Sequence, residues 1–242
     1  MQLAPSLHRI GSTLVNSYLV EEAGQVTIVD AGLPGYWSDL TRELASMGRS
    51  LDDVRGLVLT HGDSDHTGFA KRLHRERGVP IYVHERDAAR ARGEIKKPNS
   101  GWGPVKIGPL VGFLVYTARR GGLRMSPPMD LTTFGGDVTL DLPGSPRIIE
   151  LPGHTPGSVA VHVPFVDAIF MGDAMTTRSV LTGETGPRIA PFTLDPAAAA
   201  AALDRLDGIE ATWLLPGHGD PWNRGLAEAL REIRSHIGGA PA

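Results

Sequence analysis

Residues 60–68 read Thr60-His61-Gly62-Asp63-Ser64-Asp65-His66-Thr67-Gly68 and directly follow the apolar run at 54–59. Two imidazoles and two carboxylates therefore lie within six residues, at a place where a strand should end. Neutral imidazole and carboxylate bind divalent ions such as Zn²⁺, Mn²⁺ and Fe²⁺, and catalytic sites leave part of the coordination open to water. The segment is typical of half of a metal site. The alternative is a helix-capping turn, because Asp and Ser commonly precede helices.

Four other apolar runs end in a glycine-containing turn that carries one histidine or aspartate. The runs at 26–29, 147–151, 168–171 and 213–215 lead to Asp30, His154, Asp173 and His218, respectively. Functional residues concentrate in loops that a rigid framework brings together. The pattern predicts a site at one edge of a sheet, where these turns converge. The chain has no cysteine, which excludes thiolate ligands.

Together these motifs resemble, in order and spacing, the five signature motifs of the metallo-β-lactamase superfamily, from about residue 7 to residue 220. The resemblance implies an α/β (α+β) fold, a four-layer αββα sandwich in which two mixed β-sheets pack face to face with helices outside. It implies a single domain over residues 1–242. It also implies one or two divalent ions, most commonly zinc in this superfamily.

The ligand set follows from the resemblance residue by residue. A first ion would be held by His61, Asp63, His154 and Asp173, and a second by Asp65, His66, His218 and the bridging Asp173. Asp30 would steady the ligand loops from behind, since metal ligands need oriented partners.

Asp63 departs from the superfamily pattern, which is His-x-His-x-Asp-His with a histidine at this place. The flavodiiron branch uses Glu there, so a carboxylate is compatible with a site. Three carboxylates and one hydroxide would cancel the charge of two divalent ions, whereas two carboxylates leave one positive charge. We expect the more anionic set to favour Mn²⁺ or Fe²⁺ and to make the bound water less acidic. The alternative is that aspartate is too short to reach its ion, which would leave one metal.

The resemblance implies a metallo-hydrolase, in which a metal-bound hydroxide attacks an electrophilic carbonyl. Asp65 is the candidate catalytic residue that orients the nucleophile or shuttles a proton. Branches of the superfamily cleave thioesters, lactones, β-lactams or phosphodiesters, and their shared motifs do not choose among these. We expect a small ester, thioester or lactone. Two alternatives are an iron-dependent redox or dioxygenase protein and a non-catalytic metal-binding protein of the same fold.

Composition and charge narrow the partners. A net charge of −3 over 242 residues gives no electrostatic reason for binding nucleic acid or an anionic membrane, so we expect a small-molecule substrate. The first ten residues lack the apolar core of a signal peptide, and no run approaches the length of a membrane span. We therefore expect a cytoplasmic location. The missing secretion signal also argues against an exported β-lactam-resistance enzyme.

The segment at about 93–136 is rich in Gly and Pro and fits neither the helix nor the strand period. Long insertions in compact domains are commonly lids or binding loops, and we predict that role here. The alternatives are an extra packed helix with a linker, or a contact in a homodimer. Its candidate contacts to an acidic substrate are Tyr116, Arg119, Arg120 and Arg124.

Local patterns predict several elements. A hairpin is expected over 14–29, and apolar residues at helical spacing indicate a helix over 37–47 that Gly48 ends. Asp195 followed by Pro196 predicts a helix start. A final apolar stripe consists of Leu226, Leu230, Ile233 and Ile237.

Overall fold

The computed structural model describes residues 1–95 and 102–238. Seven strands form the first sheet in the order β1 to β7: β1 Gln2–Ala4, β2 Leu7–Ser12, β3 Val15–Glu22, β4 Gln25–Val29, β5 Val54–Val58, β6 Ile81–His84 and β7 Thr132–Phe134. Strands β1 to β4 are antiparallel, and β4 to β7 are parallel. The sheet is therefore mixed.

Four strands form the second sheet in the order β13-β10-β9-β8: β8 Arg147–Glu150, β9 Val159–Val163, β10 Ala168–Gly172 and β13 Trp213–Pro216. Strand β13 runs parallel to β10, while β9 pairs antiparallel with both β8 and β10. This sheet is also mixed. A separate hairpin consists of β11 Thr176–Arg178 and β12 Thr185–Arg188.

Six α-helices complete the described chain: α1 Trp37–Ser46, α2 Ala70–Arg77, α3 Ala88–Ala91, α4 Ile107–Arg119, α5 Pro196–Ala202 and α6 Leu226–Gly238. The helix predicted over 37–47 is α1, which Gly48 follows with a φ of +68°. Asp195 caps α5 as predicted, because its Oδ1 accepts a hydrogen bond from Ala198 N at 2.9 Å. In the last stripe, Leu226, Leu230 and Ile233 are buried, whereas Ile237 is exposed.

Alternation along the strands sorts the apolar side chains into layers. In β3, Leu19 packs with α1 and α2 outside the first sheet, while Val20 faces the second sheet. In β10, Ile169 packs with α5 and α6, while Phe170 faces the first sheet. Because a strand places successive side chains on opposite faces, each sheet is buried on both sides. The layers are helix, sheet, sheet and helix, as predicted.

The segment at 93–136 contains α4 and the edge strand β7, with residues 96–101 outside the described part of the chain. No residue of α4 is fully buried, and Ile107 and Leu114 are 80% and 55% exposed. An extra helix was one of the alternatives for this segment, and the helix is present. The lid role stays a prediction. Within residues 1–95 and 102–238, none of the helices has the length and apolarity needed to cross a bilayer.

Candidate metal centre

The five polar turns meet at one edge of the sandwich. Asp30 and His61 follow the parallel strands β4 and β5, and Asp173 and His218 follow the parallel strands β10 and β13. The carboxyl ends of parallel neighbours lie at the same edge, so each sheet delivers a pair of turns there. Backbone hydrogen bonds then join the loops, including Val159 N to Thr60 O at 2.9 Å between the two sheets.

A first group of ligand atoms consists of side chains from His61, Asp63 and His154, all of which are buried. Asp63 Oδ2 lies 3.4 Å from His154 Nε2 and 3.9 Å from His61 Nε2. Ligand atoms bonded to one ion at about 2.0–2.2 Å in a tetrahedron are separated by about 3.3–3.6 Å. The observed spacing is close to this range, so the short aspartate side chain does reach the group.

A second group consists of Asp65, His66 and His218. Asp65 Oδ2 lies 3.5 Å from His218 Nε2. Asp173 lies between the two groups, because its Oδ2 is 3.1 Å from His218 Nε2 and 3.7 Å from His154 Nε2, and its Oδ1 is 3.5 Å from His66 Nε2. The seven candidate ligand residues predicted from the sequence therefore converge on one location.

Hydrogen bonds fix which nitrogen of three of the four imidazoles, those of His61, His66 and His218, faces this centre. His66 Nδ1 donates to Asp30 Oδ2 at 2.8 Å, and His218 Nδ1 donates to the carbonyl of Leu14. Thr60 Oγ1 donates to Asp30 Oδ2, so it is left to accept from His61 Nδ1 at 3.0 Å. When they lose the proton on Nε2, imidazoles held in this way present the lone pair of that nitrogen inward.

Four of the inward atoms have no hydrogen-bond partner in the part of the chain that the structure describes. Nε2 of His61, His66 and His154 and Oδ1 of Asp173 are buried and form no hydrogen bond within the described residues. Buried polar atoms are almost always paired, so four unpaired ones that converge require an explanation. A divalent ion fits this donor set, because imidazole nitrogen and carboxylate oxygen are its ordinary ligands and cysteine is absent from the chain.

A family model for the metallo-beta-lactamase superfamily matches residues 10–218. The chain belongs to the metallo-β-lactamase superfamily. A probable metallo-hydrolase of Bacillus subtilis (strain 168), YflN, is 28% identical over 250 residues, which cover 98% of this chain and 92% of that protein. Both the family and the predicted sandwich are thereby confirmed.

Two solved structures resemble the structure of this chain. The metallo-beta-lactamase family protein TTHA1429 from Thermus thermophilus has a TM-score of 0.69 at 24% identity, with 98% of this chain and 81% of that chain covered. TTHA1623, solved in a di-iron-bound form, has a TM-score of 0.60 at 26% identity, with 90% and 93% covered.

Electrostatic interactions in this centre shift the pKa values of its histidines in opposite directions. Burial lowers the pKa of His61 well below its usual value, and the neighbouring His66 and His154 lower it further. Burial also disfavours the charged form of His66, but the carboxylates of Asp30 and Asp173 outweigh this and raise its pKa to about 10. His61 is therefore held neutral and ready to bind a cation. Binding of a metal at His66 is coupled to the release of a proton.

Asp173 and His218 stabilise each other's charged forms. Burial by itself raises the pKa of Asp173, yet His218 and His66 reverse this and hold the pKa well below its usual range. For His218, burial lowers the pKa, but Asp173 and Asp65 raise it overall. Asp173 is thus an anion at neutral pH, in the position between the two ligand groups.

Asp30 occupies the position behind the ligands that the sequence predicts. It has a φ of +60°, which is uncommon outside glycine, and it is buried. Its Oδ1 accepts from Thr60 N at 2.8 Å, and its Oδ2 accepts from Thr60 Oγ1 and His66 Nδ1 at the same distance. One carboxylate therefore orients His66 directly and His61 through Thr60.

The sequence did not predict two residues of the centre, Asp87 and Arg90. Asp87, which is fully buried, accepts hydrogen bonds from Gly62 N at 2.7 Å, Gly157 N at 2.9 Å and Thr155 Oγ1 at 2.8 Å. It thereby joins the loop that carries His61 to the loop that carries His154. Arg90 Nε donates to Asp63 Oδ1 at 2.5 Å. Neither residue lies in a superfamily motif, and spacing along the chain gives no signal for them.

A cavity of about 140 Å³ opens next to the second ligand group. Asp65, Asp173 and His218 form its polar floor, and Phe113, Val180, Pro191 and Phe192 supply its apolar walls. Among the described residues that line it there is no lysine or arginine.

The structure does not bring the four predicted substrate contacts to this cavity. Tyr116 Oη shares a hydrogen bond of 2.7 Å with Tyr36 Oη, and Arg120 forms an ion pair of 3.1 Å with Asp39. Arg119 and Arg124 are exposed. The helix period explains the difference, because Phe113 and Thr117 share a face of α4 that turns to the cavity.

Proposed function

We propose that this superfamily member is a metal-dependent hydrolase of small esters, thioesters or lactones. The observation that carries the proposal is the convergence of buried, unpaired ligand atoms from His61, His66, His154 and Asp173 beside a small cavity. The name of the relative YflN, a probable metallo-hydrolase, supports the same class of reaction. Two divalent ions would be held by the two ligand groups, with Asp173 between them.

A divalent ion held by these residues would act as a Lewis acid. It would also lower the pKa of the water bound to it, so that this water ionises near neutral pH. The side chain of Asp65 is 21% exposed and lines the cavity, so it reaches a water or substrate there. One of its oxygens would bind the second ion, and the other would orient the attacking water and accept a proton from it. The walls formed by Phe113 and Phe192 exclude bulk water and hold the apolar part of a substrate.

The cavity also supports the choice of substrate class. A volume of about 140 Å³ suits a small acyl group or lactone ring, and the described residues that line it include no lysine or arginine that would select an anionic substrate instead. Apart from the metal ions and His218, the described lining offers no cationic group that would bind the anion of a phosphodiester next to Asp65 and Asp173. The apolar walls suit an uncharged acyl chain.

Elemental analysis followed by a substrate screen tests the proposal. Freshly purified protein should contain divalent metal and should hydrolyse at least one lactone, ester or thioester. Chelation should abolish this activity, and the metal originally found should restore it. A β-lactam and a phosphodiester serve as comparison substrates. Metal-containing protein that cleaves only the phosphodiester, or none of these compounds, contradicts the proposal.

An iron-dependent redox protein is the second candidate. Asp63 adds a hard oxygen ligand to the set, and TTHA1623, at 26% identity, is a structure solved with two irons. Iron content combined with oxygen uptake in the presence of a thiol or persulfide separates this function from hydrolysis. Hydrolysis without oxygen uptake excludes it.

A further inference from the structure

We propose that Arg90 is a positioning residue of the metal centre. Its guanidinium aims Asp63 at the first ion and neutralises that carboxylate, so the Asp63–Arg90 pair replaces the neutral histidine usual at this place. The inference rests on the proposed metal centre. It concerns what allows Asp63 to act as a ligand, and it does not depend on which substrate is cleaved.

The two oxygens of Asp63 face in different directions. Oδ1 accepts from Arg90 Nε at 2.5 Å, whereas Oδ2 lies 3.4 Å from His154 Nε2. The last torsion of an aspartate side chain is soft, so a carboxylate alone does not fix where its second oxygen points. A short, charge-assisted hydrogen bond to one oxygen does fix it. Arg90 thereby directs Oδ2 toward the histidines.

Charge gives a second reason for the pair. Asp63 and Arg90 are each only 8% exposed, and a buried charge without a partner is costly. The sequence predicts that three carboxylates and one hydroxide together cancel the charge of two divalent ions. Arg90 adds one positive charge and returns the centre to the balance of the usual ligand set. On this proposal, Arg90 offsets the additional negative charge that Asp63 brings to the centre.

The backbone around Arg90 holds the guanidinium in place. Asp87 lies three residues earlier and binds the amide of Gly62, which is next to Asp63. A Cβ on Gly62 would meet Ala91 N at 2.7 Å, Asp87 O at 2.8 Å and Arg90 Cβ at 3.0 Å. The segment at 87–91 is therefore packed directly against the ligand loop. Arg90 Nη2 is buried and has no hydrogen-bond partner among residues 1–95 and 102–238. Within these residues, the ion pair with Asp63 is therefore the contact that compensates the positive charge of Arg90.

Metal affinity in a double-mutant cycle tests the role. The variants are Arg90→Met, Asp63→His and the combination of both, with Arg86→Met as the matched control because Arg86 is exposed in the same segment. Each protein is loaded with the metal found in the wild type, and the affinity of each ion is measured by chelator competition and elemental analysis. Activity is not needed as a readout.

In the presence of Asp63, we expect Arg90→Met to weaken binding of the first ion by about 10- to 100-fold, the usual cost of losing a partner that orients a ligand. The second ion, held by Asp65, His66 and His218, should remain bound, which shows that the variant is folded. In the Asp63→His background the same Arg90→Met change should alter the first affinity by less than about threefold, because an imidazole needs no compensating cation. Arg86→Met should have no effect.

Three results overturn the inference. Tighter binding in Arg90→Met would mean that Arg90 withholds Asp63 from the metal. An equal loss in both backgrounds would mean that Arg90 acts only on packing. A wild-type protein that binds no divalent metal would overturn both this role and the proposed function, whereas metal-replete protein without hydrolytic activity would overturn only the latter.

Discussion

At the scale of single residues, Asp30 is the group on which the orientation of two histidines depends. Asp30→Asn keeps the size of the side chain and tolerates the positive φ, but it removes the charge and one acceptor. We expect the affinity for the ion at His66 to fall by about 10- to 100-fold while the protein stays folded. Dialysis followed by elemental analysis measures this. Asp130→Asn, at an exposed position, is the control and should bind metal normally.

Replacing Asp65 should slow the chemical step without weakening substrate binding. Asp65→Asn retains an oxygen that can face the ion but cannot accept a proton. We expect kcat to fall by at least about 100-fold, the range for a lost general base, with KM changed little. Metal content must be measured alongside, because Asp65 is also a ligand of the second group and a loss of metal would by itself lower turnover. Unchanged turnover in metal-replete protein would remove it from the mechanism.

At the scale of elements, the turn after β13 is shaped by the lack of a side chain at Gly217. A Cβ there would lie 2.4 Å from Asp173 Oδ1 and 2.6 Å from His66 Cε1, and its φ lies outside the left-handed region. Gly217→Ala should therefore displace ligands by steric contact alone, with a loss of metal and about 1–3 kcal/mol of stability. Urea unfolding and metal content measure the two effects.

The control for that substitution lies in α4. A Cβ on Gly112 would have nothing within 4 Å, so Gly112→Ala should bind metal normally. It should also be neutral or stabilising by up to about 1 kcal/mol, because alanine favours a helix more than glycine does. A similar loss of metal in both variants would show that the effect is not local to the turn.

The elements differ in how well the sequence predicts them. The β3–β4 hairpin, α1 and α5 follow from local patterns, because alternation, a glycine stop and an Asp-Pro cap act within a few residues. The edge strand β7 is short, and its pairing with β6, which is distant in sequence, defines it. The strands of the β11–β12 hairpin are also short, and tertiary contacts such as those with α6 help to define them. In α4, Gly108, Pro109 and Gly112 obscure the helix period, which explains why the sequence did not indicate that Phe113 and Thr117 share the face toward the cavity.

At the scale of the whole molecule, local sequence patterns predict the metal ligands of the centre, whereas the residues that orient those ligands depend on contacts between distant parts of the chain. The ligand types were found because each lies in a turn after an apolar run, which is a property of the chain itself. Arg90 and Asp87 were not, because a guanidinium or carboxylate on a short helical segment becomes informative only when folding places it against another loop. Sequence motifs predict ligands, while the groups that orient ligands require the fold.

The centre also connects the two sheets. His61 follows β5 of the first sheet, whereas His154, Asp173 and His218 follow strands of the second. An ion shared by these side chains is a cross-link at one edge of the sandwich. At a free metal concentration about 100 times Kd, binding stabilises a protein by about 2.7 kcal/mol, which corresponds to about 5–10 °C in the Tm of a domain of this size. Chelation should lower the Tm by that amount, and added metal should restore it.

Hydrogen exchange determines whether this stabilisation is shared by both sheets. If the ion cross-links them, chelation should speed exchange of amides in β5 and in β10 together, because both lead directly into ligand turns. Edge strands remote from the centre, such as β1, should change less. The His61→Ala variant removes one of the four ligands that follow β5, namely His61, Asp63, Asp65 and His66, so chelation should then affect β5 less than it does in the wild type. A Tm that does not respond to chelation, or faster exchange in one sheet of the wild type alone, would contradict a shared ion between the sheets.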